Sequence, residues 1–391
     1  MPDAFANIPA PKRINPDVSS QRYRKRLEAL LAAGDIRING DRPWDVQVHN
    51  EELYSRVFAQ GQLGIGEAYM DGWWDCEQLD EMICRAYRAR FHRRVKPLRD
   101  VFFMLQARLM NLQRRGRAFQ VGERHYDRGN DLFRAMLDKR MIYSCGYWRR
   151  AGTLDEAQEH KLDLIARKLQ FEPGMKVLDI GCGWGGALHY FAEKYGVTGV
   201  GVTVSRDQCE TAQALCEGQP VEIRLQDYRE LDERFDRIYS IGMFEHVGYK
   251  NYRAYMEVVR RCLEPDALFL LHTIGAVRSL PKTDAWIHKY IFPNGQLPSA
   301  QQITTAAEDV LQLEDWHNFP QDYDRTLICW HDNFVSAWDE LKANYDERFY
   351  RMWTYYLLIC AGGFRARGIQ LWQLVLSADG VRAGYTPENV R

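Results

Sequence analysis

Ten residues, Val177-Leu178-Asp179-Ile180-Gly181-Cys182-Gly183-Trp184-Gly185-Gly186, join an apolar run, one carboxylate and alternating glycines. A helical pattern follows over residues 187–195. That order predicts a strand, a tight turn and a helix start. Glycines let the backbone approach a ligand with no Cβ in the way. The helix N-terminus beyond them offers free N–H groups and the positive end of a dipole. The chemistry expected against this loop is the binding of a nucleotide-like cofactor.

Gly181, Gly183 and Gly186 also satisfy the dinucleotide pattern, which places an acid about 20 residues on for the ribose. Here the next strand, Val200-Gly201-Val202-Thr203-Val204-Ser205, ends in hydroxyls. The acid instead precedes the glycines, at Asp179, where a carboxylate suits a cationic ligand better than a pyrophosphate. Asp-x-Gly-Cys-Gly-x-Gly at the end of a first strand resembles the S-adenosylmethionine loop of class I methyltransferases.

Further polar clusters fall at the ends of later strands. They are Gln226-Asp227-Tyr228, Gly242-Met243-Phe244-Glu245-His246-Val247-Gly248, and Leu271-His272-Thr273-Ile274-Gly275. Residues 141–148 lie upstream, and Tyr323 lies downstream in Gln321-Asp322-Tyr323-Asp324. Each alone is a weak signal, since a strand-end His is more often a satisfied structural group. Cys145 and His272 could form a nucleophile pair, but no neighbouring residue marks either as activated. No His, Cys, Asp or Glu set has metal-ligand spacing, so no metal is expected.

The elements that position these clusters alternate. Thr153 and Glu156 form a capping-box pair that opens a helix to residue 170. Strands are expected at 177–180, 197–205, 221–225, 237–241, 268–273 and 369–376, with helices between. Ser299 and Gln302 make a second capping box. Strand–helix repetition implies an α/β fold with a doubly wound, mostly parallel sheet and ligands at its carboxyl edge. Before this region, helices are expected at 17–33 and from Asn50 to near Gly61. An apolar, glycine-punctuated stretch (63–74) follows. The organisation read from these signals is a small, mainly helical N-terminal domain (1–100), a basic linker helix (101–120) and a catalytic domain (121–391).

Composition is that of a globular protein, with 46% apolar and 27% charged residues and a net charge of −1. Nine scattered cysteines show no paired spacing, which is reduced, cytoplasmic usage. No signal core and no run of about 18 apolar residues is present, so no membrane span is expected. Charge is uneven. Residues 85–117 hold eleven Lys and Arg against one acid, Asp100, around Val101, Phe102, Phe103, Met104 and Leu105. Basic residues flanking an aromatic helical patch suit an anionic bilayer surface better than nucleic acid. A solvated helical face is the plainer alternative.

Taken together, the motifs resemble a known family. Tyr-Ser-Cys-Gly-Tyr-Trp (143–148), Leu-Asp-Ile-Gly-Cys-Gly-Trp-Gly-Gly (178–186) and Gly-Met-Phe-Glu-His-Val-Gly (242–248) are similar to the bacterial cyclopropane-fatty-acyl-phospholipid synthase family. So are Leu-Leu-His-Thr-Ile-Gly (270–275), Tyr-Ile-Phe-Pro-Asn-Gly (290–295) and Phe-Arg-Ala-Arg-Gly-Ile-Gln-Leu-Trp-Gln (364–373). The likeness spans about residues 20–378. Gly146 stands where that family more often has Ala.

The resemblance implies a seven-stranded methyltransferase-type sheet and a specific reaction. The cis double bond of a phospholipid acyl chain attacks the methyl of S-adenosylmethionine. A carbocation forms, a proton leaves, and a cyclopropane ring closes. The implied base is a bound bicarbonate, with Glu245, His272 and Tyr323 as side-chain ligands and Cys145 and Ile274 offering backbone groups. Cys360 matches a cysteine proposed to be catalytic, although this chemistry needs no thiol and a packing role is simpler. Cofactor contacts carry over to Tyr143, Ser144, Asp179, Gly181, Cys182, Gly183, Trp184 and Gly185. They extend to Thr203, Ser205 and Gln208 for the ribose and aminoacyl groups, and to Gln226, Asp227 and Tyr228 near adenine. Implied partners are unsaturated phospholipid and the inner, anionic membrane face, bound peripherally from the cytoplasm. A homodimer is left open. Alternatives are methylation of the acyl chain without ring closure, an amine N-methyltransferase, and a membrane-surface module without turnover.

Overall fold

The computed structural model describes residues 16–91, 129–280 and 283–386, so the expected linker helix lies outside the described residues. The chain opens with helices α1 (Pro16–Ala32), α2 (Glu52–Gln60), α3 (Gln62–Met70) and α4 (Leu79–Arg88). Two short strands, β1 (Gln47–Val48) and β2 (Trp74–Asp75), pair antiparallel among them. The N-cap residue of α2 is Glu51, one position after the expected Asn50, whose Oδ1 accepts from the Glu52 N–H. The stretch at 63–74, expected only as an apolar segment, is mostly the helix α3. Gly66 lets it pack closely, because a Cβ there would meet the Trp286 ring at 2.4 Å.

The second region runs α5 (Asn130–Met136), α6 (Leu154–Lys168), β3 (Lys176–Ile180), α7 (Gly186–Tyr195), β4 (Thr198–Thr203), α8 (Arg206–Leu215), β5 (Val221–Leu225) and β6 (Phe235–Ile241). It continues with α9 (Tyr252–Cys262), β7 (Leu263–Ala276), α10 (Ala285–Tyr290), α11 (Ala300–Ala307), β8 (Gln312–Asn318), α12 (Gln321–Ser336), α13 (Trp338–Leu341), α14 (Glu347–Arg365) and β9 (Ile369–Ser377). Both capping boxes form as expected, at Thr153/Glu156 and Ser299/Gln302.

The sheet has seven strands in the order β5-β4-β3-β6-β7-β9-β8. Strands β3 to β7 are parallel, while β9 is antiparallel to both β7 and β8. Its central strands read as near-continuous apolar runs because both faces are covered. Leu178, Ile238, Phe269 and Leu271 pack on one face with α9 and α11. Val177, Tyr239, Leu268 and Leu270 pack on the other with α6 and α7. Strand order reverses between β3 and β6, which opens a crevice at their carboxyl ends.

A third apolar core joins the N-terminal helices to α12 and α14. It holds Leu53, Tyr54, Trp74 and Leu79 together with Trp330, Trp353, Tyr355 and Phe364. Helices α4 and α14 touch so closely that a Cβ on Gly362 would lie 2.3 Å from the Asp80 carbonyl oxygen. Among the described residues no helix is long and apolar enough to cross a membrane.

Candidate active site

The glycine loop forms at the β3–α7 turn. Gly181, Gly183 and Gly185 take φ of 91°, 53° and 83°, where side chains are rarely accommodated. Ahead of them Asp179 is buried, and its Oδ1 has no hydrogen-bond partner among the described residues. Burial pushes its carboxyl up to about 7. Tyr239 and the charge of Lys161 oppose this shift, and a bound cation would favour the ionised carboxylate further.

A cavity opens here, walled by the ends of β3, β4, β5 and β6 and by residues 141–144. Of the expected cofactor residues, Tyr143, Ser144, Asp179, Gly181, Cys182, Gly183, Trp184, Thr203, Ser205, Gln208, Gln226, Asp227 and Tyr228 line it. Gly185 does not, and serves instead as the N-cap residue of α7. Two of the lining groups also shape their own loops. Ser205 Oγ accepts from the Gln208 N–H and caps α8, while Asp227 takes both the Arg229 N–H and its guanidinium.

The opposite wall is held from α6. Fully buried Lys161 donates to Ser144 Oγ over 2.9 Å, and burial lowers its ammonium pKa to about 8. Gln158 donates to the Ser144 carbonyl over 2.7 Å. Neither residue was expected, because nothing local distinguishes them from other helix positions. Met243, His246 and Val247 also line the cavity from within the 242–248 motif.

Beside this cavity lies a second polar group. Glu245 sits in the short 3-10 turn Phe244–His246 that follows β6. It is buried, and burial pushes its carboxyl up to about 7. The Ile274 N–H donates to Glu245 Oε1 over 2.7 Å. His272, two residues earlier on β7, is 1% exposed, and burial drives its pKa well below 6.5. Glu245 Oε2 and His272 Nε2 are buried without hydrogen-bond partners among the described residues.

Cys145 and Tyr323 are tied together through α12. The Trp148 N–H donates to Asp322, and both the Gly146 N–H and the Trp148 indole donate to Thr326 Oγ1. Tyr323 stacks on Phe364 at 4.6 Å, and its hydroxyl is in electrostatic range of Cys145, Tyr143, Glu245 and Cys360. Burial raises the Cys145 thiol well above its usual range and the half-buried Cys360 to about 12, so neither is a ready thiolate. Aromatic rings surround this group. Tyr143 contacts Phe133 and Trp330 at 5.2 Å each and Phe292 at 6.5 Å, and its hydroxyl pairs with that of Tyr356.

This arrangement puts a glycine-loop cavity with a buried carboxyl at the ends of β3 to β6, and buried Glu245 and His272 at the ends of β6 and β7. The family model for mycolic acid cyclopropane synthetase matches residues 113–374. The chain belongs to that family.

Within the cyclopropane synthetase family, similarity extends well beyond the matched region. The cyclopropane-fatty-acyl-phospholipid synthase of Escherichia coli strain K12 is 54% identical over 356 residues, covering 91% of this chain and 93% of the relative. Cyclopropane mycolic acid synthase 3 of Mycobacterium tuberculosis is 38% identical over 260 residues, or 62% of this chain and 91% of its own length. The mycolic acid cyclopropane synthase CmaA1, solved with S-adenosylhomocysteine and CTAB, superposes with a TM-score of 0.63 at 34% identity. That match covers 66% of this chain and 98% of CmaA1.

Proposed function

We propose that this chain transfers a one-carbon unit from S-adenosylmethionine to the cis double bond of a phospholipid acyl chain and closes a cyclopropane ring. The observation that carries this reading is the 54% identity over 91% of the chain, which is more than the catalytic sheet alone. The cofactor supplies the electrophilic methyl group. Asp179, with its partnerless buried oxygen, is the group for the cationic amino-acid end, and Tyr143 and Ser144 line the same cavity. An alkene is a weak nucleophile, so the site must hold it dry and close to the methyl. The rings of Tyr143, Phe292 and Trp330 exclude water and present π faces to a developing carbocation.

Proton removal falls to the Glu245–His272 group. Bicarbonate fits there as the base. A carboxyl with a pKa near 7 can share a proton with a small anion, and an imidazole N–H can donate to it. Tyr323 and the Cys145 backbone complete the set, while the Ile274 N–H, implied as a direct donor, acts through Glu245, whose Oε1 it anchors. Residues 1–100 and the basic stretch to 120 serve the lipid surface, and 121–391 carry out the chemistry. The enzyme works as a peripheral protein on the anionic cytoplasmic face of the membrane.

The test is incubation with labelled S-adenosylmethionine and vesicles of unsaturated phospholipid, followed by mass spectrometry and NMR of the acyl chains. Cyclopropane protons are expected. A methyl-branched, ring-free chain would overturn ring closure, and unlabelled lipid would overturn the substrate class.

A further inference from the structure

Gln373 lies directly across the sheet from His272, in register between β9 and β7. It is fully buried, and its side-chain nitrogen Nε2 stands 3.1 Å from His272 Nδ1. An amide nitrogen carries hydrogens, and its lone pair is delocalised into the carbonyl, so it donates and does not accept. With the amide in this orientation Nδ1 accepts, and Gln373 Oε1 is left buried without a hydrogen-bond partner among the described residues. A neutral imidazole has a single N–H, and once Nδ1 accepts, that hydrogen resides on Nε2. Burial keeps this ring neutral, and the charges of Lys161, Lys168 and His317 act in the same direction.

We propose that Gln373 is a positioning residue that locks His272 in the Nε2–H tautomer, so that the ring donates a hydrogen bond into the pocket beside Glu245. This rests on the anion reading of that pocket. His272 Nε2 is the atom without a hydrogen-bond partner among the described residues, as is Glu245 Oε2. With the tautomer fixed, a donor and a titratable carboxyl converge on the same small guest. The opposite tautomer would aim a lone pair at an anion and repel it. Gln373 ends the 364–373 motif, and no chemistry had been assigned to it from sequence.

The experiment is 15N NMR of histidine-labelled, full-length protein, with the His272 resonances assigned by their loss in His272→Asn. The expected pattern is a protonated Nε2 and an unprotonated Nδ1 in the wild type. Gln373→Met should mix the tautomers, lower turnover roughly 10²- to 10⁴-fold and leave S-adenosylhomocysteine affinity within about twofold. Gln373→Glu, whose carboxylate accepts from Nδ1, should show a protonated Nδ1. A wild-type ring protonated on Nδ1, or an unchanged Nε2–H tautomer in a folded Gln373→Met protein, would overturn the proposal. Bicarbonate titration of wild-type activity separates the two ideas. A flat response refutes the anion reading, while the NMR result alone decides the tautomer.

Discussion

The Ile274 backbone N–H donates to Glu245 Oε1, which joins the loop after β6 to the end of β7 across the mouth of the parallel sheet. One oxygen of the carboxyl is thereby anchored, and the other is buried without a hydrogen-bond partner among the described residues. Removing the side chain should therefore abolish proton handling without disturbing the cofactor cavity, whose wall does not include Glu245. We expect Glu245→Ala and His272→Ala to lose about 10² to 10⁴ in turnover. Calorimetry should show near-wild-type affinity for S-adenosylhomocysteine. A comparable loss in affinity would place these residues in the cofactor site instead.

Cofactor affinity should depend on pH through Asp179. Its carboxyl is pushed up to about 7 by burial, so it is largely neutral below that pH and ionised above it. A cation binds the ionised form, so affinity should fall by up to about tenfold per unit as pH drops below 7 and level off above it. Asp179→Asn should lower affinity roughly 10- to 100-fold and flatten the profile. Isothermal titration between about pH 5.5 and 8.5, roughly three units spanning the midpoint, measures both.

Gly362→Ala probes the seam between α4 and α14. The added Cβ would press on the backbone oxygen of Asp80, which has no flexible side chain to move aside. We expect a loss of about 1–3 kcal/mol in denaturant unfolding, with cofactor affinity of the folded protein retained. Unchanged stability would mean that the two helices separate freely.

The basic stretch offers a test of membrane docking. Charge reversal at Arg93, Arg94, Arg114 and Arg115, all outside the described residues, should weaken co-sedimentation with anionic vesicles. High salt should do the same to the wild type. Activity on vesicles should fall while cofactor binding is kept. Undiminished vesicle binding at low salt would assign the stretch to a solvated surface.

Legibility in the sequence followed locality. The glycine loop, both capping boxes and the central strands are written in consecutive residues, and the structure has them where expected. The strand β8 was not expected, because Gln312-Leu313-Glu314-Asp315-Trp316-His317-Asn318 is polar, as an edge strand can be. Glycines hid the helix α3, since Gly64 and Gly66 reduce helix propensity in order to admit Arg56 and Trp286. At the site, motif positions such as Asp179 and Glu245 were visible. The supporting groups Lys161 and Gln373 were not, because they act on Ser144 and His272 through tertiary contacts.

The seam that unites the first helices with α14 also sets the order in which the chain can be completed. Arg351 bonds the Tyr69 carbonyl across 282 residues of sequence, and Arg348 pairs with Asp71 across 277. During synthesis the opening helices emerge long before the segment that covers their apolar faces. Until α14 arrives, Leu79, Trp74 and Tyr54 lack much of the surface that buries them. The nascent protein therefore carries an unsealed hydrophobic face through most of its elongation. Its dependence on chaperones should be concentrated in that interval and should end when the last helix closes over the first ones.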